Sequence, residues 1–124
     1  MPAQTLALPV IEVGATYKFS FTYKNKTTNT PVDLTGVTAK MQIRKAYTDA
    51  AYLLELSTEN GRITIDVPTG RFSFLVTDEV TSTLIPDIMP KQKCVYDLEL
   101  YWPNGEVQRL LEGTVQLKME VTRG

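Results

Sequence analysis

Apolar and polar residues alternate along most of this chain, and the period is two. In "TYKFSFTYK" the residues Tyr17, Phe19, Phe21 and Tyr23 share one face, with Lys18, Ser20, Thr22 and Lys24 on the other. A half-buried strand requires this arrangement. Val37, Ala39, Met41 and Ile43 repeat it, then Ile63, Ile65 and Val67, then Phe72, Phe74 and Val76. Cys94, Tyr96, Leu98, Leu100 and Trp102 follow, and Val115, Leu117, Met119 and Val121 close the series. Slipping any of these strands by one residue would bury its charges, so the register is firmly specified.

Turn chemistry separates the runs. "ENGR" sets Asn60 and Gly61 where a two-residue hairpin needs positive φ at both positions, which predicts a hairpin between "YLLELS" and "RITIDV". "PTG" at Pro68–Gly70 and "PNGE" around Asn104 and Gly105 predict two more reversals. In "PVDLTG" the Asp33 carboxylate can accept from the Thr35 N–H in an Asx turn, and Gly36 releases the chain into the next strand. "TDEVTSTL" predicts one short helical turn near residues 77–84, with Thr77 as cap and Asp78 and Glu79 at the positive end of the dipole. "IPDIMPKQK" holds Ile85, Ile88 and Met89 between prolines that exclude helix and central strand alike.

About eight strands joined by such turns predict an all-β fold, an antiparallel two-sheet β-sandwich, with a closed barrel as the alternative. No signal for parallel strands is present. At 124 residues the chain fits one domain, read here as an N-terminal extended arm over 1–11 and a β-sandwich over 12–124. The arm carries Leu6, Leu8 and Val10, and these join Ile85, Ile88 and Met89 either as cover folded over the domain's own open ends or as candidate contacts for another chain. Tyr47 and Tyr52 are further candidates, since aromatics contribute strongly at interfaces.

Charge narrows the function classes. A net charge of -1 gives no basic excess for phosphates or for an anionic membrane surface, and no stretch approaches a membrane span. The expectation is therefore neither nucleic acid nor membrane as partner. Lys40, Arg44 and Lys45, with Lys18, Lys24 and Lys26, form a local basic group read as edge protection or partner pairing. With no histidine and one cysteine, the usual nucleophilic triads and zinc sets cannot be assembled. Asp97 and Glu99 point the same way about 7 Å apart, but lie on the polar face of an amphipathic strand and read as solvated charges. Cys94 reads as a small buried hydrophobe, Trp102 as core, and the Asn25–Thr27 acceptor triplet as a polar hairpin tip. The expectation is no enzyme, catalytic residue, cofactor, metal or small-molecule substrate. "MPAQTLALPV" lacks the basic start and long apolar middle of a secretory signal, so a cytosolic origin is expected.

Two stretches together carry a resemblance. "VDLTGVTAKMQIRKAYTDAAYLLELSTENGRITI" and "YDLELYWPNGEVQRLLEGTVQLKMEVTR" resemble small proteins encoded in tailed bacteriophages and prophages near tail, baseplate or neck genes. The likeness spans residues 12–123, and "LIPDIMPKQKCV" departs from it by replacing a shorter link of small residues. The resemblance implies an immunoglobulin-like or related sandwich and a virion structural protein made in the bacterial host cytoplasm. It also implies partners that are other virion proteins and copies of itself in a symmetric assembly. The expected role is an adaptor or stabilising ring of the tail, baseplate or neck. A capsid decoration protein is the alternative within the particle, and a carbohydrate- or host-receptor-binding module the alternative of another class.

Overall fold

The structure is a computed structural model that describes residues 4–84 and 91–119. Its elements are β1 (Gln4–Thr5), β2 (Ile11–Glu12), β3 (Tyr17–Thr22), β4 (Thr38–Arg44), β5 (Leu54–Ser57), β6 (Ile63–Asp66) and β7 (Arg71–Val76). These are followed by α1 (Asp78–Thr81), β8 (Lys91–Tyr101) and β9 (Val107–Lys118). Ile85, Ile88 and Met89 lie outside the described residues.

The strands divide into two sheets. One runs β1-β9-β8-β4-β5, with β2 also on β9, and the other runs β3-β7-β6. The alternating residues read from the sequence face one another between them: Met41, Phe72, Leu98 and Leu100 are fully buried, and Phe74 is nearly so. The fold is a two-sheet sandwich of immunoglobulin-like order. Strands β3, β7 and β6 occupy the places of B, E and D, β4, β8 and β9 those of C, F and G, and β5 is the added strand beyond C. Phenylalanine pairs weld the smaller sheet, Phe19 stacking on Phe74 at 4.4 Å and Phe21 on Phe72 at 5.0 Å. These residues are directly opposite in the β3–β7 register, where cross-strand aromatic pairs stabilise most.

The turns explain which strand joins which sheet. Asp33 accepts hydrogen bonds from both the N–H and the hydroxyl of Thr35, as the Asx turn requires. Gly36 follows at φ 77°, with Pro103 packed so close that a Cβ would lie 2.8 Å from its Cγ. The "PTG" and "PNGE" reversals form the β6–β7 and β8–β9 hairpins.

"ENGR" does not form a hairpin. Strand β5 pairs with β4 in one sheet and β6 with β7 in the other, so this turn carries the chain across the sandwich. Asn60 makes the corner with its side chain. Its Oδ1 accepts from the N–H groups of Ser57 and Arg62, and its Nδ2 donates to the Glu55 carbonyl. Only Gly61 of the pair has positive φ.

The helical turn is present, but the Thr77 hydroxyl does not cap it. The buried anchor is Thr81, which donates to the Ala15 carbonyl and accepts from the Gly14 N–H, tying α1 to the turn before β3.

The arm adds parallel pairing to an otherwise antiparallel sandwich. Gln4 and Thr5 run parallel to Leu111 and Glu112 of β9, and Ile11 and Glu12 run parallel to Leu117 and Lys118. Between these points Leu6 and Leu8 donate to the carbonyls of Glu112 and Thr114. Ile11 is fully buried in the common core.

Candidate interaction surfaces

The outer face of the larger sheet is a polar mosaic whose members hold one another. Arg44 spans it by donating to the carbonyls of Asp49 and Ala50 and to Gln42 Oε1, while Gln42 Nε2 donates to Glu55. This arginine therefore fastens the β4–β5 loop to the strand that precedes it. Asp97 lies 3.5 Å from Arg109, and Glu99 accepts from the Tyr101 hydroxyl. Burial pushes the Asp97 carboxyl above its ordinary value and Glu99 adds to the effect, while Arg109 and Arg44 pull it back. Tyr101 is raised too, by burial first and then by Glu99. The two carboxylates thus share a face, as the alternation predicts, but each is committed to its own neighbour.

The candidate contact residues separate into two places. Tyr47 and Tyr52, 68% and 49% exposed, stand in the β4–β5 loop. Leu6 and Val10, both 44% exposed, lie on the arm. Leu8 is corrected: at 7% exposure it belongs to the core, because the arm turns it inward between the sheets. Of the basic residues, Lys40 lies over the Tyr101 ring at 6.0 Å, whereas Lys18, Lys24 and Lys26 are exposed on and after β3.

Two features escaped the sequence reading. Strand β9 skips a residue opposite Leu98 and Glu99, which pair with Leu111 and Arg109, so Leu110 is a bulge. The adjacent leucines at 110 and 111 break the alternation and are the signal for it. Beside the bulge, Gln108 points inward, accepting from the Trp102 indole N–H at 3.0 Å and donating to the Tyr23 hydroxyl at 3.2 Å. Next to this chain of bonds a groove of about 490 Å³ opens between Gln4, the segment from Tyr23 to Thr27, Val32 and residues 108–110.

Among the described residues no three His, Cys, Asp or Glu side chains gather as a metal site, and no helix is long and apolar enough to cross a membrane.

No protein-family model and no curated protein matches the chain. Solved structures do. Murine CRIg is similar at 12% identity and a TM-score of 0.39, over 94% of this chain and 92% of that one. Extracellular domains 3–5 of Drosophila OTK are similar at 16% identity and a TM-score of 0.35, over 94% of this chain and 33% of theirs. The collagen-binding subdomain of the Enterococcus faecalis surface protein ACE shares 14% identity at a TM-score of 0.20, over 66% of this chain and 75% of its own.

Proposed function

We propose that this protein is a virion structural component of a tailed bacteriophage, an adaptor or stabilising ring of the tail, baseplate or neck that works by protein contacts alone. The sequence resemblance supports the setting. The observation that carries the mode of action is the arm, a segment zipped onto β9 by backbone hydrogen bonds while Leu6 and Val10 stay turned outward. Exposed apolar side chains on a well-held strand suit a fixed docking surface, and the mutually satisfied polar groups of the larger sheet suit a rigid part.

The test is light scattering on the purified protein, alone and mixed with virions from which appendages have been stripped. The proposal expects a protein that joins the particle at the tail or neck. A free trimer that binds capsids instead would move it to the decoration proteins, and failure to join any particle would overturn the virion assignment.

A second reading rests on Tyr47 and Tyr52, whose exposed rings could stack on sugars of a host receptor. Saturable binding on a glycan array, abolished by Tyr47→Ala, would support it over the adaptor.

A further inference from the structure

Among the described residues the smaller sheet ends at β3, which pairs with β7 only, and no strand takes the place beside it that strand A fills in an immunoglobulin sheet. The direction of the backbone groups follows from the ladder. The Tyr23 N–H bonds to the Gly70 carbonyl, so the odd-numbered residues of β3 face β7. Lys18, Ser20 and Thr22 therefore aim their N–H and C=O groups away from the sheet. On the core side of this edge Phe19 and Phe21 are only half-buried, whereas their partners Phe74 and Phe72 are buried. The rings lack the cover that one more strand would give.

The groove continues this edge. Tyr23 and Lys24, which prolong β3, line it together with Arg109 and the bulged Leu110 of β9. Its apolar lining comes from Tyr23, Val32 and Leu110. Its charges have one sign: Lys24, Lys26 and Arg109 line it, and no carboxylate does among the described residues. Lys18 extends the positive character along β3, whereas Arg71 of β7 stands directly opposite Asp66 of β6. Asp97 lies 3.5 Å from Arg109 and offsets its charge, which leaves the positive character of the groove to Lys24 and Lys26, while Asp66 accepts from the Thr69 hydroxyl.

We propose that the β3 edge and the groove beyond it receive an extended acidic segment of a partner protein. The segment adds to the smaller sheet as a fourth strand, its apolar residues covering Phe19 and Phe21 and its carboxylates facing Lys18, Lys24 and Lys26. Main-chain bonds would supply affinity, and the alternating apolar and acidic positions would supply specificity. A second copy of this chain is the poorer occupant because β3 carries no carboxylate: antiparallel pairing centred on Phe21 sets Lys18 of one copy against Lys24 of the other, which destabilises, and pairing centred on Ser20 sets Lys18 against Thr22 and gives it no opposite charge. This inference rests on the reading that the protein works by holding other chains, and not on which part of the particle it occupies.

The test uses a fluorescent peptide of about eight residues alternating glutamate and valine, with a lysine–valine peptide as control. The expected result is saturable binding of the acidic peptide alone, weakening as salt rises. Lys24→Glu combined with Lys26→Glu should lower affinity about tenfold or more, both side chains being exposed and free to change without loss of fold. Thr22→Pro, which removes an outward N–H from an edge strand, should do the same. No saturable binding, equal binding of the lysine peptide, or affinity unchanged in the double-glutamate variant would overturn the proposal. So would a dimer in the free protein that Thr22→Pro dissolves, which would give the edge to a second copy. Particle association is read separately: a double-glutamate variant that still joins the virion while the peptide never binds removes this inference and leaves the adaptor role standing.

Discussion

Gly113 lies directly beneath the main chain of Leu6: a Cβ added at Gly113 would stand 2.3 Å from the Leu6 carbonyl oxygen. The same oxygen accepts a 2.6 Å hydrogen bond from the Tyr96 hydroxyl. The arm can approach β9 and β8 this closely only because residue 113 has no side chain, and its φ of +155° suits glycine as well.

Gly113→Ala should therefore lift the arm. The collision is with backbone, which cannot swing aside, so the expected cost is about 2–3 kcal/mol. Urea unfolding checks the stability, and hydrogen exchange at the Leu6 and Leu8 amides checks the location. An unchanged urea midpoint with both amides still protected would refute the close approach.

Removing the hydroxyl alone is gentler. Tyr96→Phe keeps the ring in the core but leaves the Leu6 carbonyl one donor short, for an expected loss of about 1 kcal/mol. Tyr17→Phe removes a 2.8 Å bond to the Pro9 carbonyl in the same way. Because both bonds hold the arm, the double variant should lose less than the sum of the singles if the arm detaches as a unit, since the first loss already loosens the second bond. Denaturation of the set gives the coupling directly.

The two phenols also predict an alkaline limit. Burial, helped by Glu112 and Tyr47, pushes Tyr96 from 10.0 up to about 12, and Tyr17 is raised still further by burial and by Tyr96. A phenol with a raised folded pKa keeps its proton more tightly when folded. Its contribution to stability is complete below pH 10 and drains away as the pH climbs through 12. Absorbance titration of the tyrosinates, with urea midpoints over the same range, should show late-titrating groups and falling stability together. All tyrosines titrating near 10 with no loss of stability would contradict it.

Asn60→Ala tests the corner between the sheets. The substitution deletes acceptors for Ser57 and Arg62 and a donor to Glu55 at once, with an expected cost of about 1–3 kcal/mol. Asn60→Gly should not rescue it, since the residue lacks positive φ and acts through its side chain. Thermal unfolding of the two variants decides between a side-chain corner and an ordinary hairpin turn.

That corner also shows what could be read in advance. Period-two alternation identified the inward residues of β3, β4, β7 and β8, because burying one face of a strand constrains every second position. Alternation says nothing about which neighbour a strand takes. "ENGR" has the letters of a tight hairpin, but its strands part because Asn60 bonds back to Glu55 and Ser57. The arm was misread in part for a similar reason: three well-spaced apolar residues do not reveal that parallel pairing on β9 sends Leu8 into the core and leaves Leu6 and Val10 outside. The groove depends on the bulge at Leu110 and on the Gln108 bond to Tyr23, two residues far apart in sequence. The lysines after β3 were legible as a basic group, but not as the lining of a groove.

The central claim, a contact part of a phage particle, is met most directly by electron cryo-microscopy of stripped virions to which the protein has been added back, with Leu6→Asp and Val10→Asp combined as the comparison. The account predicts a ring of added density at the tail, baseplate or neck, with the arm at a boundary between chains, and loss of that ring for the double variant. Density on the capsid lattice, or none at all from a folded wild-type protein, would contradict it.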